Sequence, residues 1–143
     1  MVCREVSDPT ENATAEPAAI DQWMAEALAL HREGDLPHAE RLYRRVLSRE
    51  PNHAEALHFL GVLAAQAGHP QPALELIDRA IAIDPTAPHF RVNRGNVLRG
   101  LGRTGDAIEA YHAAIDLAPQ DVSAYVNLAN TMRQADRLED ALA

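Results

Sequence analysis

Four asparagines, Asn93, Asn96, Asn127 and Asn130, form a two-by-two array, three residues apart within a pair and 34 apart between pairs. Each carries a donor and an acceptor at the end of a short stem. Two tracks of such groups can bond the N–H and C=O of an extended peptide, reading backbone more than sequence, at about 1 kcal/mol net per bond; the compatible alternative is that they bond neighbouring helices and fix the stacking. Arg99 and Arg133, again 34 apart, flank the array and favour acidic side chains nearby. Phe59 and Val62 stand 34 residues before Asn93 and Asn96, so apolar ground precedes the polar array. Other constellations are weaker. Among the seven histidines (31, 38, 53, 58, 69, 89 and 112) only His53 and His58 lie close in sequence. Their spacing is five, whereas an i, i+4 spacing puts two ligands on one helical face, so no metal site is expected. Ser-His-Asp, Cys-His and phosphate-cradling glycine patterns are missing from the sequence. No catalytic residue and no cofactor is expected, and the chain reads as a binding protein, not an enzyme.

The totals narrow the choice of partner. A formal net charge of −8 argues against nucleic acid and anionic lipid, both of which reward a basic face. All thirteen basic residues are arginine. The single cysteine, Cys3, makes no internal disulfide, and the N-terminal residues lack the apolar core of a signal peptide. No run approaches the roughly 18 apolar residues of a membrane span. A cytoplasmic location is the expectation.

The elements that must position the asparagines follow from a 34-residue period. Pro51, Pro85 and Pro119 keep that step, as do Ala39, Ala73, Ala107 and Ala141, and the small residues Ala27, Gly61, Gly95 and Ala129. Gly34, Gly68 and Gly102 form a further series that Asp136 breaks, and Tyr43, Ile77 and Tyr111 supply a large apolar one. The repeats run 20–53, 54–87 and 88–121, with a partial fourth over 122–143. Each reads as two helices. In the second repeat, helix A spans about 53–67 and stops at Gly68, because glycine readily takes the left-handed conformation a helix C-terminus needs. Helix B starts at Pro70, where the missing N–H costs nothing, and ends at Asp84-Pro85, where proline pushes its predecessor out of the α region. Small residues let the two helices approach closely. In the fourth unit, Arg137–Ala143 opens a helix B and stops. An array of this kind needs a polar cap over its last apolar face, so the reading is the front piece of a longer protein, or an open end available for self-association. Residues 1–18 lack periodicity and read as a disordered leader; the array covers 19–143.

These residues resemble the tetratricopeptide repeat, whose pattern is W-x₂-L-G-x₂-Y, A-x₃-F and P over 34 residues. Trp23, Ala27, Leu30, Ala39, Tyr43 and Pro51 carry it in the first unit; Leu57, Leu60, Gly61, Ala64, Ala73, Ile77 and Pro85 in the second. Gly95, Leu98, Ala107, Tyr111 and Pro119 carry it in the third, and Tyr125, Leu128, Ala129, Met132 and Ala141 in the fourth. Glu26, Arg91 and Arg94 depart from it at places expected to be apolar. The resemblance implies an all-α fold, a right-handed α-solenoid of antiparallel helix pairs whose A helices line a concave groove. Positions 6 and 9 of helix A then face the groove: Ala25, Phe59, Asn93 and Asn127, and Leu28, Val62, Asn96 and Asn130. The paired asparagines are similar to the groove ladder of O-linked N-acetylglucosamine transferase-like proteins. The function implied is a protein-interaction scaffold binding an extended peptide, or the substrate-recruiting arm of a larger glycosyltransferase of that kind. A carboxylate clamp is disfavoured, since it needs groove lysines and the chain has none.

Overall fold

A computed structural model describes the backbone of residues 9–142 and the side chains of residues 17–139 and 142. Among the described residues the regular structure is helical throughout: α1 (Pro9–Glu33), α2 (Leu36–Arg49), α3 (Ala54–Gln66), α4 (Pro70–Ile83), α5 (Pro88–Gly100), α6 (Thr104–Leu117) and α7 (Val122–Leu142). They fall into two compact units, one ending at Pro51 and the other beginning at Asn52. The fold is an all-α helical solenoid built from helix pairs.

The glycines that break the helices do so with one geometry. Gly34, Gly68 and Gly102 have φ of 85°, 87° and 75°, a region where a side chain would cost roughly 1–2 kcal/mol. At each, the next residue's N–H reaches back five residues: Asp35 to the Leu30 carbonyl, His69 to Ala64 and Arg103 to Leu98, all at 2.9 Å. This is the Schellman closure, which satisfies carbonyls that a helix end leaves orphaned. The fourth unit has Asp136 at the corresponding place. There the helix does not break, and α7 runs from Val122 to Leu142. The expected opening of a second helix at Arg137 is therefore not what forms. The helix α1 begins at Pro9, inside the segment read as a leader; residues 1–8 lie outside the described residues.

In the first unit α1 and α2 bury Ile20, Met24, Ala27, Ala39, Tyr43 and Val46. The Tyr43 ring is fully buried, and its hydroxyl sits 3.0 Å from His31 Nδ1. Burial pushes the Tyr43 phenol up to about 12. Trp23 is half-buried, with the Arg45 guanidinium 4.1 Å above its ring, a cation–π contact. Glu26 remains exposed.

In the second unit α3 packs on α4, α5 on α6 and α6 on α7, and the A helices also touch in series, α3 with α5 and α5 with α7. The small-against-large pairing is tight. A Cβ built on Gly61 would lie 2.8 Å from Ile77 Cγ1, and one built on Gly95 would lie 2.5 Å from Tyr111 Cε1. In the fourth unit Ala129, at the equivalent place, is exposed, and among the described residues no second helix lies over it. Tyr125, Val126, Met132, Leu138 and Leu142 are exposed as well. The departures Arg91 and Arg94 keep their heads at the surface. Arg94 Nε donates to Asp78 Oδ1 at 2.7 Å and Arg91 Nη2 to the Pro85 carbonyl at 3.4 Å. The apolar volume beside them comes from Phe90 and Val92, both buried.

Candidate functional site

Helix α5 carries Asn93 and Asn96 one turn apart, both half-buried. Their amides belong to a continuous ladder across three helices. Tyr111 Oη, from α6, donates to Asn96 Oδ1 at 2.7 Å. Asn96 Nδ2 donates to Asn93 Oδ1 at 3.4 Å, and Asn93 Nδ2 donates to His58 Nε2, on α3, at 2.7 Å. The ladder thus couples the second repeat to the third and fixes the rotation of each amide. An amide has two N–H donors and two carbonyl lone pairs. The ladder engages one of each on Asn93 and on Asn96, which leaves one donor and one acceptor on both.

Both asparagines line a cavity of about 360 Å³, together with Val62, Ala65, Gln66 and Val97. The lining joins an apolar wall to two oriented amides, a combination suited to an extended peptide with one apolar side chain. Of the predicted groove residues, Val62, Asn93 and Asn96 meet here. Phe59 lies against the His58 ring, with centroids 4.6 Å apart. Asn127 and Asn130 are half-buried on α7, outside this lining; the Asn127 backbone carbonyl accepts from Thr131 Oγ1 at 2.7 Å. Arg99 is half-buried and Arg133 exposed. Burial raises the Tyr111 phenol, opposed by the nearby Arg99 charge and a hydrogen bond with Thr131.

Two residues at the centre of the ladder, His58 and Tyr111, were not identified as site residues by sequence reasoning. The repeat register places a second group beside it. Glu55 and His89 are 34 residues apart, on successive A helices, and Glu55 Oε1 lies 2.9 Å from His89 Nε2. Glu55 Oε2 is also 3.9 Å from Nδ1 of the fully buried His58. Applying the 34-residue step to the histidines and acids would have revealed this cluster.

Family models for the tetratricopeptide repeat match residues 17–88 and, as a TPR repeat, residues 95–136. The chain belongs to the tetratricopeptide-repeat family. It is 28% identical over 117 residues to protein O-mannosyl-transferase TMTC1 of Mus musculus, covering 79% of this chain and 12% of that one. Among solved structures it superimposes on an O-GlcNAc transferase mutant from Thermobaculum terrenum with a TM-score of 0.80 and 34% identity, over 81% of this chain and 22% of that chain. The first TPR of Spaghetti (RPAP3), bound to an HSP90 peptide, gives a TM-score of 0.75 at 14% identity, over 82% of this chain and 93% of that one. The last likeness is one of fold. The chain thus spans only a small part of the two transferases, and what it shares with them is repeat architecture. No described helix is long and apolar enough to cross a membrane.

Proposed function

We propose that this tetratricopeptide array is a protein-interaction scaffold that holds an extended peptide against α3 and α5, with Asn93 and Asn96 bonding the peptide backbone. The observation that carries the reading is the ladder. It fixes both amides in the lining of the cavity and leaves each with a donor and an acceptor. Val62, Ala65 and Val97 then offer an apolar seat for one side chain of the peptide. The half-buried Arg99 adds a preference for acidic neighbours. Asn127 and Asn130 extend the track along α7. The fold likeness to a repeat domain bound to an HSP90 peptide is consistent with this mode. On this reading the array binds and does not catalyse.

A displayed library of random peptides, selected on the intact chain, tests the proposal. Selected peptides should lose roughly 30-fold in affinity for an Asn93→Ala/Asn96→Ala variant, since two backbone bonds at about 1 kcal/mol each are removed. Far-ultraviolet circular dichroism must show that helicity is retained. Unchanged affinity in that folded variant would remove the site assignment.

The 34% identity to the transferase repeat region supports a second reading, in which the array recruits substrates for a larger glycosyltransferase. The gene decides it. A catalytic domain encoded in frame with the repeats supports the reading, and a stop codon directly after Ala143 removes it.

A further inference from the structure

We propose that Glu55, His58 and His89 form a binding site for one divalent transition-metal ion, which staples helix α3 to helix α5. One ligand atom from each residue lies within 4.8 Å of the other two. A tetrahedral ion with bonds of about 2.0–2.2 Å holds its ligand atoms roughly 3.4 Å apart. One carboxylate oxygen faces both rings near that separation: Glu55 Oε2 lies 3.2 Å from His89 Nε2 and 3.9 Å from His58 Nδ1. Rotation of the two half-exposed side chains, Glu55 and His89, brings the three atoms to bonding distance without moving a helix.

The third ligand is already immobile. The His58 ring is fully buried and packed against Phe59, Phe90 and His89, with centroids 4.6, 4.7 and 5.1 Å away. The His58 and His89 rings are perpendicular, so they approach one ion from different directions. A liganding imidazole is normally held through its other nitrogen, which fixes its tautomer. Here Asn93 stands on Nε2 at 2.7 Å. With a metal on Nδ1, Nε2 carries the proton, and the Asn93 amide turns over to accept from it. Asn96 turns in step, and the Tyr111 hydroxyl, which both donates and accepts, closes the reversed ladder. Each of these groups thus keeps its partner when the ion binds.

The donor set selects the ion. Two imidazoles and a carboxylate suit zinc, nickel, cobalt or copper, whereas magnesium and calcium seek oxygen-rich sites. The partial exposure of Glu55 and His89 leaves further coordination places to water. Nothing in this proposal depends on peptide binding, so the two readings fail separately.

The test uses the untagged, full chain with Cys3→Ser as background, to remove the only thiol, after chelator treatment. Isothermal titration with zinc sulfate and with magnesium chloride should show one zinc per chain and no magnesium. Cobalt titration should bring up visible absorption bands of ordered nitrogen and oxygen coordination. His89→Ala and Glu55→Gln, both at half-exposed positions, should each weaken zinc binding by at least about tenfold, while His69→Ala and His112→Ala leave it unchanged. Zinc should also raise the melting temperature of the background chain and not of His89→Ala. Absence of zinc binding, or zinc affinity equal in the background, His89→Ala and Glu55→Gln chains, would overturn the site.

Discussion

Replacing Gly95 by alanine tests the packing that sets the ladder in place. An added Cβ would lie 2.5 Å from Tyr111 Cε1 and 2.8 Å from both Cδ1 and Cζ. The contact is with the body of a fully buried ring, not with the tip of a flexible chain. Overpacking of this kind costs roughly 1–3 kcal/mol. A ring that moves away also strains the 2.7 Å bond from its hydroxyl to Asn96, worth about 1 kcal/mol. Against this stands the gain of about 1 kcal/mol when alanine replaces a helical glycine. The net expectation is a loss of roughly 1–3 kcal/mol. Gly100→Ala supplies the comparison, because its Cβ would meet open space and only the helical gain of up to about 1 kcal/mol applies. Urea unfolding followed by circular dichroism measures both. Thermal melts should separate the two variants by several degrees, at roughly 4 °C per kcal/mol for a chain of this size. Tyr111→Leu in the Gly95→Ala background should relieve part of the clash, which a double-mutant cycle reports as a favourable coupling. If Gly95→Ala proves as stable as Gly100→Ala, the close approach of α5 and α6 is not what sets the choice of glycine.

Two further outcomes follow from other sites. Gly102→Ala should lose roughly 1–2 kcal/mol, since alanine must adopt the 75° φ of the turn, and Gly102→Asn should lose less; thermal melts check both. The Tyr43 phenol is held up at about 12, against an ordinary 10.0, because burial disfavours its charged form. Its folded value lies above the unfolded one, so its contribution to stability is intact below pH 10 and is lost as the pH rises toward about 12. Unfolding measured across that window should become less pH-dependent in Tyr43→Phe.

The 34-residue period made most of the fold legible, because each recurring residue type answers to a separate physical demand. Alanine and glycine sit where helices approach, glycine where φ turns positive, and proline where a helix must start or stop. What escaped was the second contact face of the A helices. The small-residue series accounts for packing of an A helix on its own helix B but not on the next A helix. Position 5 shows the difference. His58 and Val92 are buried there, while Val126, on the last A helix, is 51% exposed. The asparagines were legible as an array, but their inner partners lie on other helices, at positions a single-helix wheel does not connect. Asp136 was visible as a break in the glycine series, and it lies where α7 continues without a turn.

The buried tyrosine hydroxyls of the first and third repeats find different partners. In the third repeat Gly95 lets the Tyr111 ring lie flat on the helix, and the hydroxyl lands on Asn96. In the first repeat Ala27 occupies that place, both it and Tyr43 are fully buried, and the hydroxyl lands beside His31, three residues further along than the equivalent of Asn96. The ninth position changes as well: Leu28 has no polar side-chain group to receive the phenol where Asn96 has one, and the hydroxyl finds its recipient one turn later, at His31. The same aromatic position can therefore be wired to either of two successive turns of helix A, according to which of them offers a polar side chain.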